Sequence, residues 1–308
     1  MKQFKNKVAV ITGAASGIGK AIAERCCAEG MKVVIADIEE DALKQAENEM
    51  QLKGASVMSV VTDVSKQEDI EMLAKKTIDT YGAVHLLFNN AGVGAGGSII
   101  KQTIKDYKWV MNVNLWGVIY GMYTFIPIMA KQDEDCHIVN TSSAAGVVPG
   151  LGVYGITKFG VTALSEMFSW ELKAINSKVK VSVIFPGIVN TRIIDSHRNR
   201  PNDLTNPVLA LDQKVIEKNV QMYNNAKLLY SGPLSMSTKV VADIVFNAIK
   251  NETLFIFTDL AEETGIKIRT EAMLNDMNIL KKFVQKTGRS REEFFSDLMD
   301  QGYKYANY

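Results

Sequence analysis

Lys7-Val8-Ala9-Val10-Ile11-Thr12-Gly13-Ala14-Ala15-Ser16-Gly17-Ile18-Gly19 runs from an unbroken apolar stretch into a glycine-rich turn. An apolar run without alternation reads as a strand buried on both faces, and the glycines let the chain turn into a helix reaching about Glu29. Gly13, Gly17 and Gly19 follow Gly-x-x-x-Gly-x-Gly spacing rather than the commoner Gly-x-Gly-x-x-Gly. A turn of this kind lets main-chain amides approach a diphosphate at the positive end of a helix. Alone it is a weak signal, because any tight strand-to-helix turn favours glycine.

The same rhythm continues outward. Strand-like runs at 32–37, 57–62, 84–88, 136–141 and 179–185 are separated by helix-length stretches, and Phe255-Ile256-Phe257 reads as a last edge strand. Apolar strands bounded by helices imply an α/β fold with a doubly wound, Rossmann-like parallel sheet in three layers. Residues 1–258 form the expected dinucleotide-binding and catalytic domain. Within it, 190–236 turns polar, carries Pro201, Pro207 and Pro233, and shows helical character only near 211–228, as a lid or substrate loop does. Residues 259–308 read as a helical C-terminal extension, packed on the same domain or on a neighbouring subunit. Its last segment opens at Ser290-Arg291-Glu292-Glu293, like a capping box, and ends with Tyr303, Tyr305 and Tyr308.

Lys+Arg 35 against Asp+Glu 34 leaves a net charge of +1, which gives no electrostatic case for nucleic acid or an anionic membrane as partner. Cys26, Cys27 and Cys136 make no disulfide framework and no metal-ligand spacing; they read as structural thiols suited to a reducing cytoplasm. The apolar run after Lys7 is too short for a signal-peptide core, and no segment is expected to reach the length of a membrane span.

Asp37 ends the second strand about 20 residues beyond the loop, where a carboxylate binds adenosine ribose hydroxyls. It also repels a 2′-phosphate, and no Arg or Lys adjoins it in the strand end or stands in place of Ser16. NAD is therefore expected over NADP. A surface helix start beside Glu39 and Glu40 is the plainer alternative, made weaker by the glycine loop. Tyr154 and Lys158 lie four apart, on one helix face. Tyr223 and Lys227 have the same spacing without other support; Ser142 and Ser143, at a strand end just upstream, single out Tyr154. Free tyrosine titrates near ~10, so a base working near neutrality needs its phenolate stabilised by roughly 4 kcal/mol. A neighbouring ammonium and an oxidised nicotinamide act in that direction.

The loop 12–19, Asp63-Val64, Asn89-Asn90-Ala91-Gly92, Asn114, Ser143, Tyr154-x-x-x-Lys158 and Pro186-Gly187 together resemble the short-chain dehydrogenase/reductase family in order and spacing, over about 7–258. The resemblance implies an enzyme moving a hydride between NAD and a secondary alcohol or ketone. It implies Tyr154 as general acid/base, Ser143 on the reacting oxygen, Lys158 tuning Tyr154 and binding the nicotinamide ribose, and Asn114 holding a proton-path water. It assigns Gly13, Ser16, Gly17, Ile18, Gly19 and Asp37 to the cofactor. Asp63 and Val64 would meet adenine, Asn90 the adenosine side, and Val189 and Thr191 the carboxamide. Ser143 is preferred to Ser142 because it stands three before Gly146. The stretch 143–154 is about two residues shorter than in many members, so the pocket wall at 147–153 is expected to depart from the family's shape.

Residues 92–97, rich in glycine, are expected at the pocket mouth, and Leu151, Val153, Ile188, Ile193 and Met222 as its apolar lining. A hydrophobic or cyclic, steroid- or terpenoid-like alcohol follows. His197, Arg198 and Arg200 read more simply as a solvated lid face than as an anion site, and His85 and His137 as structural. Two rivals stand: an NADPH-linked ketone reductase of the same family, and a non-catalytic NAD-binding sensor. The resemblance also implies a homo-oligomer, a dimer or tetramer, paired through helices at 103–131 and 154–175. Tyr107, Trp109, Trp116, Tyr120, Tyr123 and Trp170 there serve either an interface or the core.

Overall fold

The computed structural model describes residues 1–94, 99–207 and 213–288. Seven strands form one parallel sheet in the order β3-β2-β1-β4-β5-β6-β7. They are β1 (Val8–Thr12), β2 (Lys32–Asp37), β3 (Ser56–Val61), β4 (Leu86–Asn89), β5 (Cys136–Thr141), β6 (Val179–Phe185) and β7 (Phe255–Phe257). The third strand lies one residue earlier than the sequence suggests. β4 begins two residues later, because Val84 N–H donates to the Gln132 side chain rather than to a neighbouring strand.

The pleat explains the two-sided burial. Ala9 and Ile11 of β1 face one hydrophobic layer with α1 (Gly17–Ala28), α2 (Glu40–Gln51) and α8 (Thr238–Lys250). Val10 faces the opposite layer with α3 (Gln67–Tyr81), α5 (Gly117–Lys131) and α6 (Val153–Ala174). Successive side chains on a strand point to opposite faces, so a strand covered on both sides must be apolar throughout.

The helix α4 (Ile104–Met111) starts from a capping box in which Thr103 and Asp106 satisfy each other's backbone N–H groups. It runs through a π-helical turn, Asn112–Trp116, into α5. The continuous run Ile104–Lys131 corrects one expectation, for it is long enough, and with a mean hydropathy of 1.3 over an 18-residue window apolar enough, to cross a membrane. Its apolar side chains Trp109, Val110, Val118, Met122, Phe125 and Met129 are buried in the protein core.

The 190–236 stretch is more ordered than its composition implies. It holds 3-10 turns at Ile193–Asn199 and Asn202–Leu204 and the helix α7 (Gln213–Ser231). Leu211, where a helix was expected to begin, lies outside the described residues. Met1–Leu260 is one compact unit, and a second begins at Ala261 with α9 (Ala261–Thr287). The features expected at 290–308, and at Ala95, Gly96 and Gly97, also lie outside the described residues.

Candidate active site

Strand order reverses at β1, whose neighbours β2 and β4 lead their connections to opposite sides of the sheet. A crevice opens beyond the strand C-termini at such a point. Here it is a cleft with about 690 Å³ of free volume, lined by segments following β1, β2, β3, β4, β5 and β6 and by α7. Gly13, Ser16, Gly17, Ile18, Asp37, Asp63, Val64, Asn90, Ser143, Tyr154, Lys158, Val189 and Thr191 all line it. Two expected site residues, Gly19 and Asn114, stand behind the wall rather than in it.

The glycine loop is a cradle without room for side chains. A Cβ on Gly13 would fall 2.7 Å from Ala91 Cα, and one on Gly19 would fall 2.2 Å from the Gly13 carbonyl oxygen. Gly13 and Gly17 also hold φ of +65° and +58°, which favours glycine. Thr191 lies over the loop, its Cγ2 3.2 Å from where a Gly17 Cβ would sit. Asn90 staples the loop from below: its Nδ2 donates to the carbonyls of Thr12 and Gly13 at 3.0 and 3.2 Å. Main-chain amides opening α1 are thus held at the cleft, as a diphosphate requires, and the residues present fit a dinucleotide.

At the end of β2, Asp37 accepts from Ala15 N–H at 3.0 Å and from Glu39 N–H at 3.1 Å. Burial raises its pKa, against the pull of those amide bonds. A carboxylate so placed has acceptor capacity for ribose hydroxyls. Asp63 instead turns inward on its own loop, accepting from the backbone and hydroxyl of Ser65.

The two serines separate cleanly. Ser142 also borders the cleft, but its Oγ donates to the Lys158 carbonyl at 2.9 Å and adjoins Thr162 Oγ1 at 3.0 Å, so it is engaged by α6. Gly146 makes room for it, since a Cβ there would fall 2.1 Å from Ser142 Oγ. Ser143 faces the cleft, as does the half-buried Tyr154. Burial pushes the Tyr154 phenol up to about 12, opposed by the Ser143 hydroxyl. Lys158 Nζ sits 5.5 Å from the Tyr154 ring centre and donates to the Thr141 carbonyl at 2.8 Å. Burial alone brings it down to about 8.

Asn114 lies in the π turn, fully buried, and clasps one residue of the β4 loop. Its Oδ1 accepts from Val93 N–H at 2.8 Å and its Nδ2 donates to the Val93 carbonyl at 2.9 Å. A Cβ on Gly92 would lie 3.4 Å from Asn114 Oδ1 and 3.5 Å from Lys158 Nζ, so the missing side chain leaves a gap between the two groups.

The lining expected from sequence needs correction. Leu151, Ile193 and Met222 are there, but Val153 is core, packed with Trp109, and Ile188 is not in the wall. Trp109, Tyr223, Ala226 and Tyr230 take their place. Met222, Ala226 and Tyr230 share one face of α7 through i, i+4, i+8 spacing, with Tyr223 three before Ala226 beside them, a signal readable only once α7 is known to cover the cleft. The solvated-face reading of 197–200 fails for Arg200, whereas Arg198 is exposed. Arg200 pairs with Asp106 at 2.7 Å, with side chains only 6% and 10% exposed, and lies over the Trp109 ring. Arg198 pairs with Glu39. His85 and His137 are structural, bonding Val8 N–H and Ser182 respectively.

Residues 7–202 match the model of the short chain dehydrogenase family. Among curated proteins, the chain is 32% identical over 278 residues to the CLA biosynthesis dehydrogenase/reductase of Lactiplantibacillus plantarum, covering 90% of this chain and 96% of that protein. A short-chain dehydrogenase/reductase of Burkholderia phymatum, solved in complex with NAD, is 37% identical with a TM-score of 0.83, over 90% of this chain and 97% of that one. An alcohol dehydrogenase of Thermococcus sibiricus, complexed with 5-hydroxy-NADP, is 25% identical with a TM-score of 0.66, over 84% and 98%. Sequence, sheet order and the clustering of Ser143, Tyr154 and Lys158 agree, and the chain belongs to the short-chain dehydrogenase/reductase family of oxidoreductases.

Proposed function

We propose that this protein is an NAD-dependent dehydrogenase/reductase acting on a secondary alcohol or its ketone, with a hydrophobic or cyclic substrate. The observation that carries the reading is the gathering of Ser143, Tyr154 and a buried Lys158, with Nζ 5.5 Å from the Tyr154 ring centre, in one cleft with Asp37. Gly13, Ser16, Gly17 and Ile18 would hold the cofactor diphosphate, Asp37 its adenosine ribose, and Val189 with Thr191 the nicotinamide end. NAD, when bound, accepts the hydride in oxidation and returns it in reduction.

Ser143 Oγ holds the reacting oxygen, and Tyr154 Oη exchanges its proton. With the phenol pushed up to about 12, Tyr154 is protonated at neutral pH and ready to act as the acid for ketone reduction. Alcohol oxidation needs the phenolate, which the Lys158 ammonium stabilises. Reduction therefore runs best at neutral pH, and oxidation gains as pH rises towards about 8, above which Lys158 loses the charge that stabilises the phenolate. Asn114 and the gap at Gly92 give Lys158 a route for proton exchange.

The substrate class rests on the wall near Tyr154. Leu151, Trp109, Met222, Ala226 and Tyr230 are apolar or aromatic, and the carboxylates among the described lining residues, Asp37, Glu39 and Asp63, follow β2 and β3 instead. Exposed Trp116 and Tyr123 support self-association through α5 and α6, and the free thiols suit the cytoplasm.

The test follows nicotinamide absorbance with NAD or NADP and a panel of secondary alcohols, for the native chain and Tyr154→Phe. NAD-linked turnover lowered at least about 1,000-fold by the substitution is the expected result. Turnover surviving in the variant overturns the role of Tyr154. NAD binding with no turnover on any alcohol or ketone favours a sensor instead.

A further inference from the structure

The fold brings two arginines to the end of β2, where the local sequence has none. Arg198 donates from Nε and Nη2 to Glu39 Oε1 at 2.9 and 2.5 Å, and Asn199 Nδ2 donates to the same oxygen at 2.9 Å. Arg192 Nη1 lies 4.0 Å from Glu39 Oε2. Glu39 is in turn tied to Asp37, whose Oδ1 accepts its backbone N–H. All five residues line the cleft at the adenosine end. The remaining Arg198 nitrogen, Nη1, reaches the carbonyls of Arg192 and Asp195 at 3.3 and 3.0 Å.

Arginine grips a phosphate ester by presenting a planar edge of N–H donors. On Arg198 the Nε–Nη2 edge is occupied by Glu39. Counting Asp37, Glu39, Arg192 and Arg198, the corner sums to zero charge; without the Glu39 carboxylate it is positive, with a free guanidinium edge beside the ribose site. We infer that Glu39 is a cofactor-specificity residue, which occupies Arg198 and offsets Arg192 so that the corner does not recruit a 2′-phosphate. The inference rests on the NAD reading above and adds a second device to Asp37. Asp37 repels the phosphate directly, whereas Glu39 withholds the cations that would bind it.

The test measures dissociation constants for NADH and NADPH by nucleotide fluorescence in the full-length protein. Glu39→Gln, close in shape and uncharged, is expected to shift the NADPH-to-NADH affinity ratio at least about 10-fold towards NADPH. Adding Arg198→Gln to that variant abolishes the shift. Arg198→Gln alone, which leaves Glu39 charged, moves the ratio the other way and serves if the first variant fails to fold. A ratio unchanged by Glu39→Gln, or a shift that persists without Arg198, overturns the inference. Native protein binding NADPH as tightly as NADH would defeat the NAD reading instead. The role of Glu39 is judged only by how its removal changes the ratio.

Discussion

Gly19 and Lys158 show what single side chains contribute to this cleft. At Gly19 even a methyl group meets backbone, and a carbonyl oxygen held by Asn90 cannot swing aside as a flexible side chain would. Gly19→Ala is expected to cost about 1–3 kcal/mol of stability and to weaken NADH binding at least about 10-fold, read by thermal unfolding and fluorescence titration. Lys158 acts in the opposite sense. Its fall from 10.5 to about 8 means that burial disfavours the ammonium by about 3 kcal/mol. Between those values the unfolded chain holds a proton that the folded chain has released. Stability therefore rises with pH across that window and stays at its lower level below it. Lys158→Met removes this cost at pH 7 but leaves the Thr141 carbonyl without its ammonium partner, worth about 1 kcal/mol. The variant should melt several degrees higher than the native protein, lose turnover, and no longer gain stability between pH 8 and 10.5. A lower melting temperature would mean that Lys158 stabilises the fold.

Among the elements, the π turn between α4 and α5 is informative because sequence periodicity does not reveal it. Asn114 was legible as a site residue through resemblance, yet its principal partners are the two polar backbone groups of Val93. A one-residue bulge in a helix commonly serves to aim a side chain, and here it aims an amide at the loop after β4. Asn114→Ala leaves a buried donor and acceptor unpaired, so a loss of about 2–3 kcal/mol in denaturant unfolding should accompany any fall in turnover. The 192–206 segment likewise reads as a polar loop, because what orders it lies far away in the chain. Glu39 and Arg198 are separated by 159 residues, and Asp106 and Arg200 by 94. No local pattern encodes such pairs. Arg200→Met strands the Asp106 carboxylate in a nearly closed site, at a cost of about 3 kcal/mol; adding Asp106→Asn should recover most of it, measured as a double-mutant cycle.

For the whole molecule, the central strands were readable because they are apolar on both faces, and the crossover rule gave a doubly wound sheet without its strand order. The catalytic trio was readable because Tyr154 and Lys158 share a helix turn and Ser143 ends the adjoining strand. The substrate wall was not, since α7 joins it by tertiary packing alone. Among the described residues, the buried apolar clusters are drawn wholly from residues up to Ile256. A chain ending at Leu260 is therefore expected to unfold in one cooperative transition with unchanged sheet content by circular dichroism; a molten or aggregated product would refute that.

The sheet order has a consequence for synthesis. β1 emerges early from the ribosome yet occupies the middle of the finished sheet, with Ala9 beside Val33 on one side and Leu86 on the other. Its first partner follows within a few seconds of translation, while its second comes only after β2, β3 and three helices have been made. For that interval the nascent protein carries an open, apolar strand edge at the very place where the glycine loop must later close. Chaperone capture should therefore peak in chains stalled between β2 and β4 and fall once β4 has cleared the exit tunnel.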